Sequence, residues 1–170
     1  MSARRSLNGA VAGLLAAGVW VAQQPLDKRV FGSAYDDVEI LGKLVTRGPG
    51  WRILGTAIHL QNGALFGAVY AAVRPALPGP PLAQAMTAAM GEHVGLWPLT
   101  RLVDRHHPAR HEMPRLSANR RAYAQATWRH ALFGVVLGEL ERRLNADDRE
   151  PEVPASSNGH GRIEVAAVEV

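Results

Sequence analysis

The residues able to do chemistry interrupt three apolar blocks that lie far apart in sequence. His59, with Gln61 and Asn62, sits inside R-ILGTAIHLQNGALFGAVYAAV-R, which runs from Arg52 to Arg74 with no fixed charge between the two arginines. Glu92 and His93 break the block from Leu82 to Thr100, and Arg129 and His130 break the block from Ala122 to Leu140. Ionisable groups inside a bilayer are costly and usually face the bundle interior with a partner. Such a set suits a structural ion pair, a proton relay or a site for an ion or small solute. Counted inward from the long connections at ~1.5 Å per residue, His59, Glu92, His93, Arg129 and His130 all lie roughly 10–14 Å deep. Asn62 shares a helix face with His59 at i+3. Glu92 and Arg129 are the expected pair, each offsetting the desolvation of the other.

His59, His93 and His130 are also the donor set of a competing reading, a membrane redox protein holding haem or a metal ion. No E-x-x-H pair of the di-iron type is present. A second cluster, Asp104, His106, His107, His111 and Glu112, contains Pro108, which disfavours the helix that His107 and His111 would need to share an ion. It reads as solvated or facing lipid headgroups. No nucleophile elbow, phosphate loop or pair of catalytic carboxylates is present. No catalytic residue, metal site or cofactor is therefore expected, and the chain is not expected to be an enzyme.

Helices must position these groups. The block from Arg52 to Arg74 spans roughly 30 Å as a helix, about the thickness of a bilayer's hydrocarbon core. Leu7 to Gln24 is also free of charge. It reads as a retained first helix rather than a cleaved leader, because bulky Val19-Trp20-Val21 leaves no small-residue cleavage site. The expected fold is all-α, a four-helix transmembrane bundle with helices at about 7–24, 53–73, 82–100 and 122–140. It forms one membrane domain over 1–144, followed by a disordered polar tail, 145–170. In the first long connection Ser33 caps a short amphipathic helix with Val38, Leu41 and Val45 on its apolar stripe. Ser117 is the expected N-cap of the last helix.

Each block carries one GxxxG spacing: Gly9/Gly13, Gly63/Gly67, Gly91/Gly95 and Gly134/Gly138. Two glycines on one face let helix backbones approach closely in lipid, where apolar burial gives little drive to associate. Ala-Leu-Phe-Gly occurs at 64–67 and 131–134, and Gly-aliphatic-Trp at 18–20 and 95–97. A 2+2 repeat of helical hairpins would account for both.

The chain is 47% hydrophobic with a mean hydropathy of −0.07 and a pI near 10.1. It has no cysteine, so disulfides and thiolate sites are excluded. The arginines cluster beside apolar blocks with few aromatics among them, which points to anionic lipid headgroups rather than nucleic acid. The expected partner is the lipid bilayer, and a homo-oligomer is compatible with it. The location is the cell's inner membrane, crossed several times. The long connections carry more Lys and Arg than the other side, which places them in the cytoplasm with both termini outside.

Several of these stretches together resemble the YagU-like (DUF1440) family of bacterial inner-membrane proteins. They are the Gly-rich first helix, H-x-x-N-G-x-x-F-G from His59 to Gly67, and the closing His130-Ala-Leu-Phe-Gly with Glu139-Leu-Glu-Arg-Arg143. The resemblance covers most of the chain up to Asn145. It implies a membrane location and four helices, and no activity or site residue.

Overall fold

The computed structural model describes residues 3–146. The expected tail lies outside the described residues from 147 onward. Among the described residues the chain is entirely helical: α1 Ala3–Phe31, α2 Asp37–Val45, α3 Trp51–Val73, α4 Pro81–Leu96, α5 Thr100–His106 and α6 Arg120–Leu144, with single 3-10 turns at 74–76 and 97–99.

Local chemistry sets these boundaries, and several differ from expectation. α1 does not end before Pro25 but continues through it to Phe31. A proline inside a helix removes one N–H, here the donor to the Val21 carbonyl, and leaves the remaining ladder intact. The stop comes at Gly32, whose φ of +57° is open to glycine. There the Ser33 N–H donates back to the Lys28 carbonyl at 3.2 Å. Asp36, not Ser33, caps α2, its carboxylate accepting from the Glu39 N–H at 3.1 Å. Ser33 instead accepts from the Tyr35 N–H. Asn119, not Ser117, caps α6, accepting from the Ala122 N–H at 3.1 Å. The block 82–100 is not one continuous helix: α4 ends at Leu96, because Pro98 has no N–H to give the Val94 carbonyl. The chain turns through 97–99 into α5.

α1 lies between α3 and α6, α4 packs on α6, and α2 packs on the start of α3. Glycines set the closest contacts. A Cβ on Gly13 would overlap the Gly63 carbonyl, and one on Gly67 would overlap the Gly9 carbonyl. α1 and α3 therefore cross antiparallel with backbones touching. Gly134 and Gly138 meet Met86, Ala85 and Leu82 of α4. Gly42 of α2 and Gly55 of α3 form a further close crossing. Gly91 and Gly95 depart from expectation: nothing lies within 4 Å of a Cβ at either, so they face outward and pack no helix.

Both long connections lie at one end. Lys43 of α2 bonds Glu112 at 3.0 Å, and the buried His107 reaches the Ile40 carbonyl at 3.0 Å. The Ala109 N–H occupies His107 Nδ1, so Nε2 carries the proton that Ile40 accepts. Asp104 accepts the N–H groups of Leu116 and Ser117. At the other end the fully buried Glu141 takes Arg74 at 2.6 Å and Asn145 at 2.9 Å. Asn145, expected to open the free tail, is thus a buried tie.

The interior is small and polar. Its buried residues include Ala12, Ala16, Ala71, Ala85 and Ala89 alongside Asp27, Gln125, Arg129 and Glu141. The exterior carries large apolar side chains on every long helix, among them Leu14, Leu65, Val69, Val94 and Val135. Among the described residues one helix, α1, is long and apolar enough to cross a membrane, with a mean hydropathy of 1.3. In α3 the interruption at 59–62 lowers the average. α4, at 16 residues, is shorter than the ~20 residues of a usual span.

Candidate functional site

α3 and α4 are not a packed pair. Between them, backed by α1 and α6 and closed at the connection end by α2, α5 and the residues around them, lies a cavity of about 370 Å³. His59, Asn62, Glu92, His93 and His130 all line it. Depth counted from the connections puts His59, Glu92, His93 and His130 at one level from three sequence-distant blocks, and the fold brings them to one space with Asn62. Arg129 is the exception. It does not line the cavity, and its expected pair with Glu92 is not formed.

Arg129 is fully buried and points to the end of α1. Its Nε and Nη2 donate to the two oxygens of Asp27 at 2.6 and 2.7 Å, and Nη1 donates to Asp37 at 2.8 Å. Nη2 also donates to the Tyr35 carbonyl at 3.2 Å, and the guanidinium sits 5.2 Å from the Tyr35 ring centre. Gln125, one turn earlier on α6, donates to Asp27 at 2.6 Å. This is a bidentate, fully desolvated pair extended by a second carboxylate, the geometry in which an arginine tolerates burial. Asp37 is further fixed by the Trp20 Nε1–H at 3.1 Å and by the Tyr35 hydroxyl. Burial pushes the Tyr35 phenol well above its ordinary range, and the Asp37 charge adds to the shift. Burial also pushes Asp36 upward, but its bonds to the Lys28 ammonium and the Glu39 N–H outweigh this, so its carboxyl titrates below the usual range.

The histidines are arranged around Trp20. Its ring centre lies 5.1 Å from His59 and 4.7 Å from His130, both edge-on. His93 lies 4.7 Å from His130 with the rings tilted by 32°. His130 Nδ1 donates to the Ala126 carbonyl at 2.8 Å, which leaves Nε2 as an acceptor in the neutral ring. The Thr127 hydroxyl donates to the Tyr123 carbonyl, so its oxygen accepts from His93 Nε2 at 2.9 Å and His93 Nδ1 is the remaining acceptor. His59 Nε2 is buried without a partner. Glu92 makes no hydrogen bond or ion pair among the described residues. Among the described residues no three His, Asp or Glu side chains are placed to share a metal ion. In the loop cluster Asp104, His107 and Glu112 go to separate structural bonds, while His106 and His111 are exposed.

Asp27, Tyr35, Asp37 and Trp97 belong to this region and escaped the sequence argument. A signal for Asp27 exists: Trp20, Gln23, Gln24 and Asp27 recur at i, i+3, i+4 and i+7, one helix face. It was masked by taking Pro25 as the end of the helix. Tyr35 and Asp37 act from a turn, where periodicity carries no information. Comparison with family models, with curated proteins and with solved structures returns no match.

Proposed function

We propose that the protein is a multi-pass membrane protein, a four-helix transmembrane bundle of YagU-like type in the bacterial inner membrane. Its cavity holds or gates a small solute or a proton, while the Arg129 cluster serves as a structural lock. The membrane part is supported by the reversed distribution of side chains, with Ala, Gly and paired charges inside and Leu and Val outside. Exposed arginines gather at the end of the long connections, among them Arg101, Arg105, Arg110 and Arg115. They suit contact with anionic headgroups there.

The observation that carries the functional part is Glu92, which lines a cavity shared with three histidines and makes no hydrogen bond or ion pair among the described residues. A carboxylate retained in such a place without a structural bond is available for a ligand or proton. The test is flux across proteoliposomes, read with an internal pH dye for protons and by light scattering for small solutes. Wild-type protein raises at least one flux above that of empty vesicles, and Glu92→Gln lowers it. Equal flux with and without protein contradicts the proposal.

A further inference from the structure

We infer that the cavity takes a small organic cation bearing N–H donors, a primary ammonium ion rather than an anion or a neutral molecule. The inference rests on the proposal that the cavity is a solute site, and names the solute's class. Three observations carry it.

The first is charge. Asp37 and Glu92 line the cavity, and the one guanidinium of Arg129 is shared between Asp37 and Asp27 behind it. Asp36, close by, is already matched by Lys28 at 2.6 Å. With neutral histidines the region holds more negative than positive charge. A bound cation reduces that excess where water is scarce.

The second is hydrogen-bonding polarity. The hydrogen bonds of His130 and His93 use each ring's N–H on the protein itself and leave each with an acceptor nitrogen. Glu92 adds two acceptor oxygens. The Trp20 N–H and the Tyr35 hydroxyl are both spent on Asp37, and the remaining N–H groups of the lining belong to His59, Asn62 and Trp97. The two Glu92 oxygens and the free ring nitrogens of His93 and His130 fit –NH₃⁺ with its three donors.

The third is the wall. Trp20, Tyr35, Phe66, Trp97 and Phe133 all line the cavity. Aromatic faces attract cations through the ring quadrupole and cover an alkyl chain as well. At about 370 Å³ the volume is near the lower end of small-molecule sites.

The test uses the full chain in detergent and three probes of nearly equal size: n-butylammonium, butan-1-ol and butyrate. Thermal unfolding is followed while each is titrated, because a ligand of the folded state raises the melting temperature with its concentration. The inference expects saturable stabilisation by n-butylammonium at concentrations about tenfold below those needed for butan-1-ol, and none by butyrate. Glu92→Gln and Phe66→Leu should each weaken the n-butylammonium response by about tenfold. His111→Gln, in the distant loop, should not. Stabilisation by butan-1-ol or butyrate equal to that by n-butylammonium overturns the cation class while leaving a solute cavity in place. So does an n-butylammonium response unchanged by both cavity variants. No response to any probe overturns the inference, and flux across proteoliposomes then decides the parent proposal separately.

Discussion

Removing the guanidinium of Arg129 leaves Asp27, which is 2% exposed, beside Asp37 without a counter-charge. Breaking such a pair from one side typically costs about 3–5 kcal/mol, whereas replacing both partners by apolar residues is often near neutral. Arg129→Leu and Asp27→Leu should each lower thermal stability in detergent by that order, and the double variant should recover much of the loss. A double-mutant cycle isolates the coupling. Purely additive losses would show that the two are not the lock. Glu92→Gln should change stability little, since Glu92 has no bond to lose. A second prediction concerns acid. Burial raises Asp104, but its bonds to the Ser117 and Leu116 groups outweigh burial and hold its carboxyl below the ordinary range. A lowered folded-state value means the stabilisation is complete above the unfolded value, about pH 4, and is lost as pH falls through the folded one. Hydrogen exchange at the Leu116 and Ser117 amides should therefore stay slow down to about pH 4 and accelerate below it. Fast exchange of both at neutral pH would contradict the assignment. At this scale the sequence showed which residues gather but not how they pair. Depth along a helix follows from counting, so His59, Glu92, His93 and His130 were found. Pairing depends on rotation about the helix axis and on turns, so Arg129 was given the wrong carboxylate.

Glycine spacing makes its predictions at the scale of whole elements. A Cβ at Gly13 or Gly67 meets a carbonyl of the facing helix, which cannot yield without moving α1 from α3. Gly13→Ala and Gly67→Ala should each destabilise by about 1–3 kcal/mol, the usual cost of overpacking. Gly91→Ala and Gly95→Ala meet open space, so alanine should gain up to about 1 kcal/mol of helix propensity. Melting temperatures of the four variants compare the two classes directly, and a loss at Gly91 as large as that at Gly13 would contradict this packing. The motif recurs in every block because small residues suit every helix of such a bundle. Which face turns inward depends on the partner helix, and that is not written in a four-residue spacing. Caps were the least legible feature: Ser33 and Ser117 sit at plausible boundaries, but the chain offers Asp36 and Asn119 nearer the first turn.

The arrangement of the whole molecule follows from simple alternation. Four long helices joined by a short turn and two long connections put both long connections at one end, and the ion pairs of Lys43 and Arg47 with Glu112 hold them together there. The cavity was not legible, because it exists where α3 and α4 fail to pack and no local pattern reports a missing contact. The central claim is that the outward Leu and Val side chains face lipid. The absence of cysteine allows single cysteines to be introduced one at a time and challenged with a membrane-impermeant maleimide in native membranes. Gly48→Cys and Arg110→Cys, in the long connections, should label from one side of the membrane, and Gly79→Cys, in the short turn, from the other. Leu65→Cys, Val69→Cys and Val135→Cys should stay unlabelled from both sides until the protein is denatured. Labelling of these three as fast as the connections, without denaturant, would mean that the helices are bathed in water and would contradict the account.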